Sequence, residues 1–184
     1  MDGFRCLAFR EDRTVELRAK SGKPLGRYFP EIVSMLQGLP SQRFVIDGEI
    51  VVEIRGKPSF EALQMRLHPA ESRIRKLAAE TPAKLVLFDM LVDPAGDILI
   101  ERPLVERRVA VEAFVKASDR AGLSLSRSTD DLAEARRWLS NAGRGAIDGV
   151  IAKLLAGSYR PGERVMVKVK RLRTADCVVV DFAI

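Results

Sequence analysis

The feature that most limits how this chain can fold is an almost unbroken apolar run near its middle. The run covers residues 85–92, reads LVLFDMLV, and contains a single charged side chain, Asp89. A strand that is apolar on both faces has to be covered on both faces, so this composition is typical of a central strand in a sheet. The rest of the chain must therefore supply neighbouring strands and the layers that cover them.

Further strands and helices are predicted on both sides of this run. Alternating or β-rich patterns predict strands over residues 4–10, 14–20, 44–54, 150–154, 164–170 and 174–184. Helical spacing, helped by Pro30 in a first turn and Ser59 as a cap, predicts helices over residues 29–36, 59–67, 71–79, 104–115 and 129–139. Regular alternation of strand and helix is absent, which argues against a parallel α/β sheet.

The overall composition is that of one soluble globular domain. The chain has 184 residues, of which 47% are hydrophobic and 30% charged, enough for a real core and unlike a disordered segment. No apolar run approaches membrane-spanning length and no apolar leader opens the chain, so we expect a cytoplasmic protein. The net charge of +6 and the pI near 9.6 are compatible with a polyanionic partner such as nucleic acid or a nucleotide.

Two polar patterns interrupt strands that are otherwise apolar. Asp47, Gly48 and Glu49 stand inside the β-rich run over residues 44–54, and a local conflict of this kind is expected at a functional site. Lys168 and Lys170 are two residues apart on a predicted strand, so both ammonium groups point the same way. Such a pair can face a phosphate or can simply lie on a solvated strand edge.

Five short segments, taken in order and spacing, resemble one family of enzymes. They read DG-x-R at residues 2–5, DGEIV at 47–51, LFD at 87–89, DGVIAK at 148–153 and VKVK at 167–170. This pattern resembles the adenylation (nucleotidyltransferase) domain of ATP-dependent DNA ligases, close to the small bacterial repair type, over about residues 1–172. Residues 173–184 resemble the first strand of the OB-fold domain that follows it in these enzymes.

The resemblance implies a fold, a reaction and partners. The fold is α+β and ATP-grasp-like, with two mainly antiparallel sheets, flanking helices and ATP in the cleft between the sheets. In the reaction a lysine attacks the α-phosphorus of ATP, AMP passes from that lysine to the 5′-phosphate of a nick, and the 3′-hydroxyl displaces AMP. The cofactors are ATP with Mg²⁺ or Mn²⁺, and the partner is nicked double-stranded DNA under repair.

The resemblance also implies which residues form the site. Contacts to ATP or AMP fall on Arg5, Lys20, Glu49, Phe88, Lys153, Arg164, Lys168 and Lys170, and metal ligation falls on Glu49 and Asp148. Phe88 would stack on adenine, although a phenylalanine in an apolar run is ordinarily core. Lys153 can be a phosphate ligand or a surface charge, and both readings stay open. Asp148 stands where most family members carry glutamate, and Lys20 where they carry arginine.

The nucleophile is not in this sequence. The family motif is Lys-x-Asp-Gly-x-Arg, and here Met1 fills the first variable position, so the lysine would be the residue before it. The sequence as written therefore predicts little or no covalent labelling by α-labelled ATP. Two alternatives remain open: a non-catalytic nucleotide-binding or nucleic-acid-binding module, and a sister nucleotidyltransferase such as an RNA ligase or capping enzyme.

Overall fold

The computed structural model describes residues 3–142, 149–163 and 165–170. Eight strands are present in this part of the chain: β1 (Phe4–Glu11), β2 (Thr14–Ala19), β3 (Arg43–Ile54), β4 (Lys57–Pro58), β5 (Ala83–Val92), β6 (Leu123–Leu125), β7 (Gly149–Lys153) and β8 (Met166–Lys170). It contains five α-helices: α1 (Pro30–Gln37), α2 (Phe60–Gln64), α3 (Glu71–Glu80), α4 (Leu104–Ser118) and α5 (Leu132–Asn141), with a short 3-10 helix over Gly26–Tyr28.

The strands form two sheets. The larger has the order β2-β1-β3-β5-β6, with β4 paired to β3, and the smaller consists of β7 and β8. The β5–β6 pair is parallel and every other pair among the described strands is antiparallel. The predicted α+β fold with two mainly antiparallel sheets and flanking helices is confirmed.

The apolar run over residues 85–92 lies inside the larger sheet, as predicted. Strand β5 is hydrogen-bonded to β3 on one side and to β6 on the other, and its residues from Leu85 to Leu87 are buried. Helices α1 and α4 pack on this sheet, and Phe114 of α4 meets Phe44 of β3 edge-to-face with ring centroids 4.9 Å apart. The main core therefore lies between the larger sheet and these helices.

Capping chemistry explains where two helices begin. The hydroxyl of Ser59 accepts a hydrogen bond from the N–H of Ala62 at 3.2 Å, which confirms the predicted cap of α2. Asp131 caps α5 in the same way, accepting from Ala133 N–H, so this helix starts at Leu132, three residues later than predicted. Thr129 and Asp130, which were predicted to open the helix, lie before the cap and are outside it.

Three short elements were not predicted, and three predicted features lie outside the residues that the structure describes. Strands β4 and β6 and the 3-10 helix are too short to show a periodic pattern. Asp148, Arg164 and the strand predicted over residues 174–184 lie outside the described residues. Within the described part of the chain, no helix has the length and apolar character needed to cross a membrane.

Candidate functional site

Two neighbouring strands place an arginine and two carboxylates on the same face of the larger sheet. Arg5 on β1 lies directly opposite Glu49 on β3, and Asp47 lies two residues before Glu49, so the three side chains share that face. Arg5 donates from Nε to Oδ1 of Asp47 at 3.2 Å and from Nη2 to Oδ2 at 2.7 Å. Asp47 is fully buried whereas the Arg5 side chain is 31% exposed, so the guanidinium stays partly accessible. The hydrogen bond to Asp47 is the largest of the effects that raise the pKa of Arg5 above its ordinary value.

The Glu49 carboxylate is tied to the start of β1. Its Oε1 accepts a hydrogen bond from the backbone N–H of Gly3 at 2.9 Å. A Cβ at position 3 would lie 2.5 Å from the carbonyl oxygen of Ile50 and 2.6 Å from Cγ of Glu49, so only glycine fits. The φ of Gly3 is not in the left-handed region, so a turn is not what requires glycine here. The close approach of β3 is the physical reason for this glycine.

A shift of register between β3 and β5 sets the position of Phe88. Asp47 pairs with Asp89 and Gly48 pairs with Leu87, so Phe88 has no partner of its own on β3. An irregularity of this kind re-aims a side chain and is common next to functional sites. Gly48 permits it, because a Cβ there would lie 2.8 Å from a backbone carbonyl oxygen of β5. Phe88 is accordingly half-buried in a strand whose neighbouring residues are buried.

Two cations meet the ring of Phe88. Cζ of Arg5 lies 5.8 Å from the ring centroid and Nζ of Lys153 lies 5.0 Å from it, both within the range of a cation–π interaction. Burial lowers the pKa of Lys153, although the negative charges of Asp89 and Asp47 act in the opposite direction. Lys153 is half-buried. Three of the predicted site residues, Arg5, Phe88 and Lys153, thus lie together.

The lysines of the smaller sheet share one face. Lys168 pairs with Ile151, two residues before Lys153, and Lys170 lies two residues after Lys168. Paired residues and residues two apart on a strand face the same way. On this lysine-bearing face, Nζ of Lys153 lies 5.0 Å from the ring centroid of Phe88 in the larger sheet.

The remaining predicted residues are placed less directly. Lys20 is exposed in the turn that follows β2, one residue beyond the last β1–β2 pair, so its backbone lies at the end of the sheet where Arg5 stands. Asp148 and Arg164 are outside the described residues, and their roles stay predictions.

Sequence reasoning assigned no role to Arg107 and Tyr159, which complete the polar network. Arg107 donates to both carboxylate oxygens of Asp89, at 2.8 and 3.1 Å, with both side chains 3% exposed. The hydroxyl of Tyr159 accepts from Nη2 of Arg5 at 3.1 Å and donates to Oδ2 of Asp47 at 2.9 Å. Neither residue lies in a local sequence pattern that predicts a role. Their partners are far away in the sequence, and only the folded chain brings position 159 next to positions 5 and 47.

The arrangement offers an aromatic ring with two cations close to it. A flat base can stack on such a ring, and the cations can hold a phosphate attached to it. For a metal, Asp47 and Asp89 are each paired with an arginine, while Glu49 adds a carboxylate on the same face. Among the described residues no group of three or more His, Cys, Asp or Glu side chains forms a metal cage. Mg²⁺ often binds through one or two carboxylates plus phosphate and water, which suits this site.

Comparison with known proteins decides the family. The family model described as the ATP dependent DNA ligase domain matches residues 1–170. The chain belongs to the ATP-dependent DNA ligases. This ligase domain is 45% identical to DNA ligase C of Mycobacterium tuberculosis over all of this chain and 52% of that protein. It is 47% identical to DNA ligase C2 of Mycolicibacterium smegmatis over 98% of this chain and 51% of the relative.

Solved structures agree with the family. A mycobacterial DNA ligase D complexed with ATP and MES matches 94% of this ligase domain and 52% of its own chain, with a TM-score of 0.71 and 27% sequence identity. The ligase domain of M. tuberculosis LigD matches with a TM-score of 0.71 and 28% identity, over 92% of this chain and 51% of that one. The present chain thus spans about half the length of these two curated relatives.

Proposed function

We propose that this ligase domain binds ATP between its two sheets and delivers AMP for the joining of nicked double-stranded DNA during cytoplasmic DNA repair. The observation that carries the proposal is the ring of Phe88 with the cations of Arg5 and Lys153 beside it. Adenine would stack on that ring, and the cations would face the phosphates. The mycobacterial DNA ligase D structure with ATP supports a nucleotide as the ligand.

The other proposed contacts rest on the family resemblance, and the positions of the described residues support them. Arg5, with Lys20 at the same end of the sheet, would contact ribose or phosphate. Lys168 and Lys170, on the same face of their sheet as Lys153, would lie against the α-phosphate, where negative charge gathers during transfer. Arg164, between β7 and β8 in the sequence, would contact the triphosphate.

Glu49 is proposed to serve both ribose and metal. It would accept a hydrogen bond from a ribose hydroxyl and, together with Asp148, hold Mg²⁺ or Mn²⁺. The bond from Gly3 fixes its carboxylate, which lies on the face shared with Arg5. A bound divalent ion would neutralise charge on the phosphates and so assist attack at the α-phosphorus.

The covalent steps are proposed for the whole protein. A lysine amine attacks the α-phosphorus, pyrophosphate leaves, and AMP remains on the lysine through a phosphorus–nitrogen bond. The 5′-phosphate of the nick then takes AMP from the lysine, and the 3′-hydroxyl displaces AMP as the DNA strand is closed. The side chains around Phe88 bind and orient ATP for the first of these steps.

The proposal is tested by measuring the affinity of the chain for ATP with Mg²⁺ by isothermal titration calorimetry. Phe88→Ala should weaken ATP binding about fivefold or more, because stacking on an aromatic ring is worth about 1 to 3 kcal/mol per base. Phe60→Ala is the matched control: Phe60 is also partly exposed, at 41%, and packs against Phe4 rather than against the cations. It should leave the affinity unchanged.

Two results would count against the proposal. One is an unmodified chain that binds no ATP while its circular dichroism shows a folded protein. The other is an equal loss of affinity in Phe88→Ala and Phe60→Ala, since that would mean a general effect of removing an aromatic ring.

A further inference from the structure

The hydroxyl of Tyr159 links the positively charged Arg5 to the negatively charged Asp47. Its hydroxyl stands between Arg5 and Asp47, accepting from Nη2 of the arginine at 3.1 Å and donating to Oδ2 of the aspartate at 2.9 Å. The same Nη2 also donates to the same Oδ2, at 2.7 Å. The three groups therefore form a closed triangle of hydrogen bonds, which fixes the guanidinium in its plane more firmly than the ion pair alone.

The tyrosine itself is held by contacts that do not involve its hydroxyl. Its backbone N–H donates to the carbonyl of Ile100 at 2.8 Å, and its ring lies 5.9 Å from Cζ of Arg107. Nη1 of Arg107 donates to the carbonyl of Gly157 at 3.1 Å, and Leu104 N–H donates to that same carbonyl at 2.9 Å. The segment carrying Tyr159 is thus anchored to the start of α4 whether or not the hydroxyl is present.

The hydroxyl of Tyr159 stays protonated, as a hydrogen-bond donor to a carboxylate must. Burial, reinforced by the negative charge of Asp47, raises the pKa of Tyr159 to about 12. The phenol is therefore neutral at physiological pH and keeps the proton that it donates to Asp47. Among the described residues, the hydrogen bonds of Arg5 engage Nε and Nη2, which leaves Nη1 for a ligand.

We infer that Tyr159 is a positioning residue for nucleotide binding, whose hydroxyl holds the guanidinium of Arg5 in place beside the Phe88 ring. The inference rests on the proposed binding of ATP at this site. Because Tyr159 lies on the segment that joins β7 to β8, it also connects Arg5 to the sheet that bears Lys153. Its effect on ATP passes through Arg5 rather than through direct contact.

The test is a double-mutant cycle on ATP affinity, measured by calorimetry on the whole chain with Mg²⁺. Tyr159→Phe removes the hydroxyl and keeps the ring, and it should weaken ATP binding about three- to tenfold, the worth of one hydrogen bond. In an Arg5→Lys background the same change should have no further effect, because lysine keeps the charge beside Asp47 but has no Nη2 for the hydroxyl to hold. Tyr28→Phe, the same change at the other tyrosine, is the matched control and should leave affinity unchanged.

The outcomes separate this inference from the function on which it rests. If the unmodified chain binds no ATP, the proposed function fails. If the unmodified chain binds ATP but Tyr159→Phe binds it equally well, the positioning role is overturned. An equal loss from Tyr159→Phe with and without the Arg5→Lys change would also overturn it, because a purely structural role does not depend on the guanidinium.

Discussion

Lys153 is subject to opposing electrostatic effects within the site. Removal from water disfavours its ammonium form, and the positive charges of Arg5 and Arg107 add to that, whereas Asp89 and Asp47 favour it. The net result is a pKa below the ordinary lysine value of 10.5, with burial as the largest cause. A bound phosphate would add negative charge beside Lys153, so the cost of its burial would be offset when a nucleotide arrives.

Lys153→Met should be more stable than the unmodified chain at pH 7, because methionine has no charge to bury. The difference should shrink as the pH rises towards 10.5. In that window the unfolded chain binds more protons at this lysine than the folded chain does, so folding of the unmodified chain gains stability with pH. Below the window Lys153 is charged in both states and the full cost is present. The free energy of unfolding in urea, measured across pH, checks this.

The matched control for Lys153→Met is Lys23→Met, since Lys23 is exposed in the loop after β2. The comparison removes the general effect of losing one positive charge from a basic protein. A stability gain in Lys153→Met that stays constant or widens as the pH rises would contradict the burial of an ammonium group at this position.

Among the elements, the pairing of β3 with β5 determines the geometry of the site. The register shift next to Gly48 leaves Phe88 without a partner on β3 and so exposes part of its ring. The same stretch contributes Asp47 to the network with Arg5. The Asp-Gly-Glu interruption that looked out of place in an apolar strand is explained by this arrangement, with glycine where the strands approach closely and acids on the site face.

Gly48→Ala should destabilise the chain by about 1 to 3 kcal/mol, the usual cost of forcing extra volume into a packed region. The new Cβ would lie 2.8 Å from the Val86 carbonyl oxygen and 3.0 Å from Cδ2 of Leu87, and backbone cannot move aside cheaply. Gly26→Ala is the matched control, because its Cβ would meet Cγ2 of Val33 at an ordinary 3.6 Å. Urea unfolding of the two variants measures the difference, and equal stability would show that β3 and β5 are not closely packed at Gly48.

Most elements could be predicted from the sequence because they are long and periodic. The opening hairpin and α4 each present several alternations or turns of a pattern, and the run over residues 85–92 is marked by its continuous apolar character. Strand β6 could not be predicted, since Leu123–Leu125 has three residues and owes its strand conformation to parallel pairing with β5. Helix α5 was predicted to start too early because the capping choice of Asp131 over Thr129 depends on local geometry.

At the scale of the whole molecule, three residues that stand in family segments lie together in the fold. Arg5, Phe88 and Lys153 are far apart in sequence and come together as the resemblance implied. Arg107 and Tyr159 were missed because they belong to segments with no distinguishing local pattern, and only tertiary packing gives them partners. A single sequence therefore indicates residues that stand in family motifs better than the residues that hold their side chains in place.

We propose that Phe88, Arg5 and the lysine-bearing face of β7 and β8 form one nucleotide pocket. A crystal structure of this chain with ATP and Mg²⁺ tests it most directly. We expect adenine stacked on the ring of Phe88, with the phosphates directed between Arg5 and the lysines of the smaller sheet. ATP bound elsewhere on a folded chain, with Phe88 uncovered, would contradict the claim.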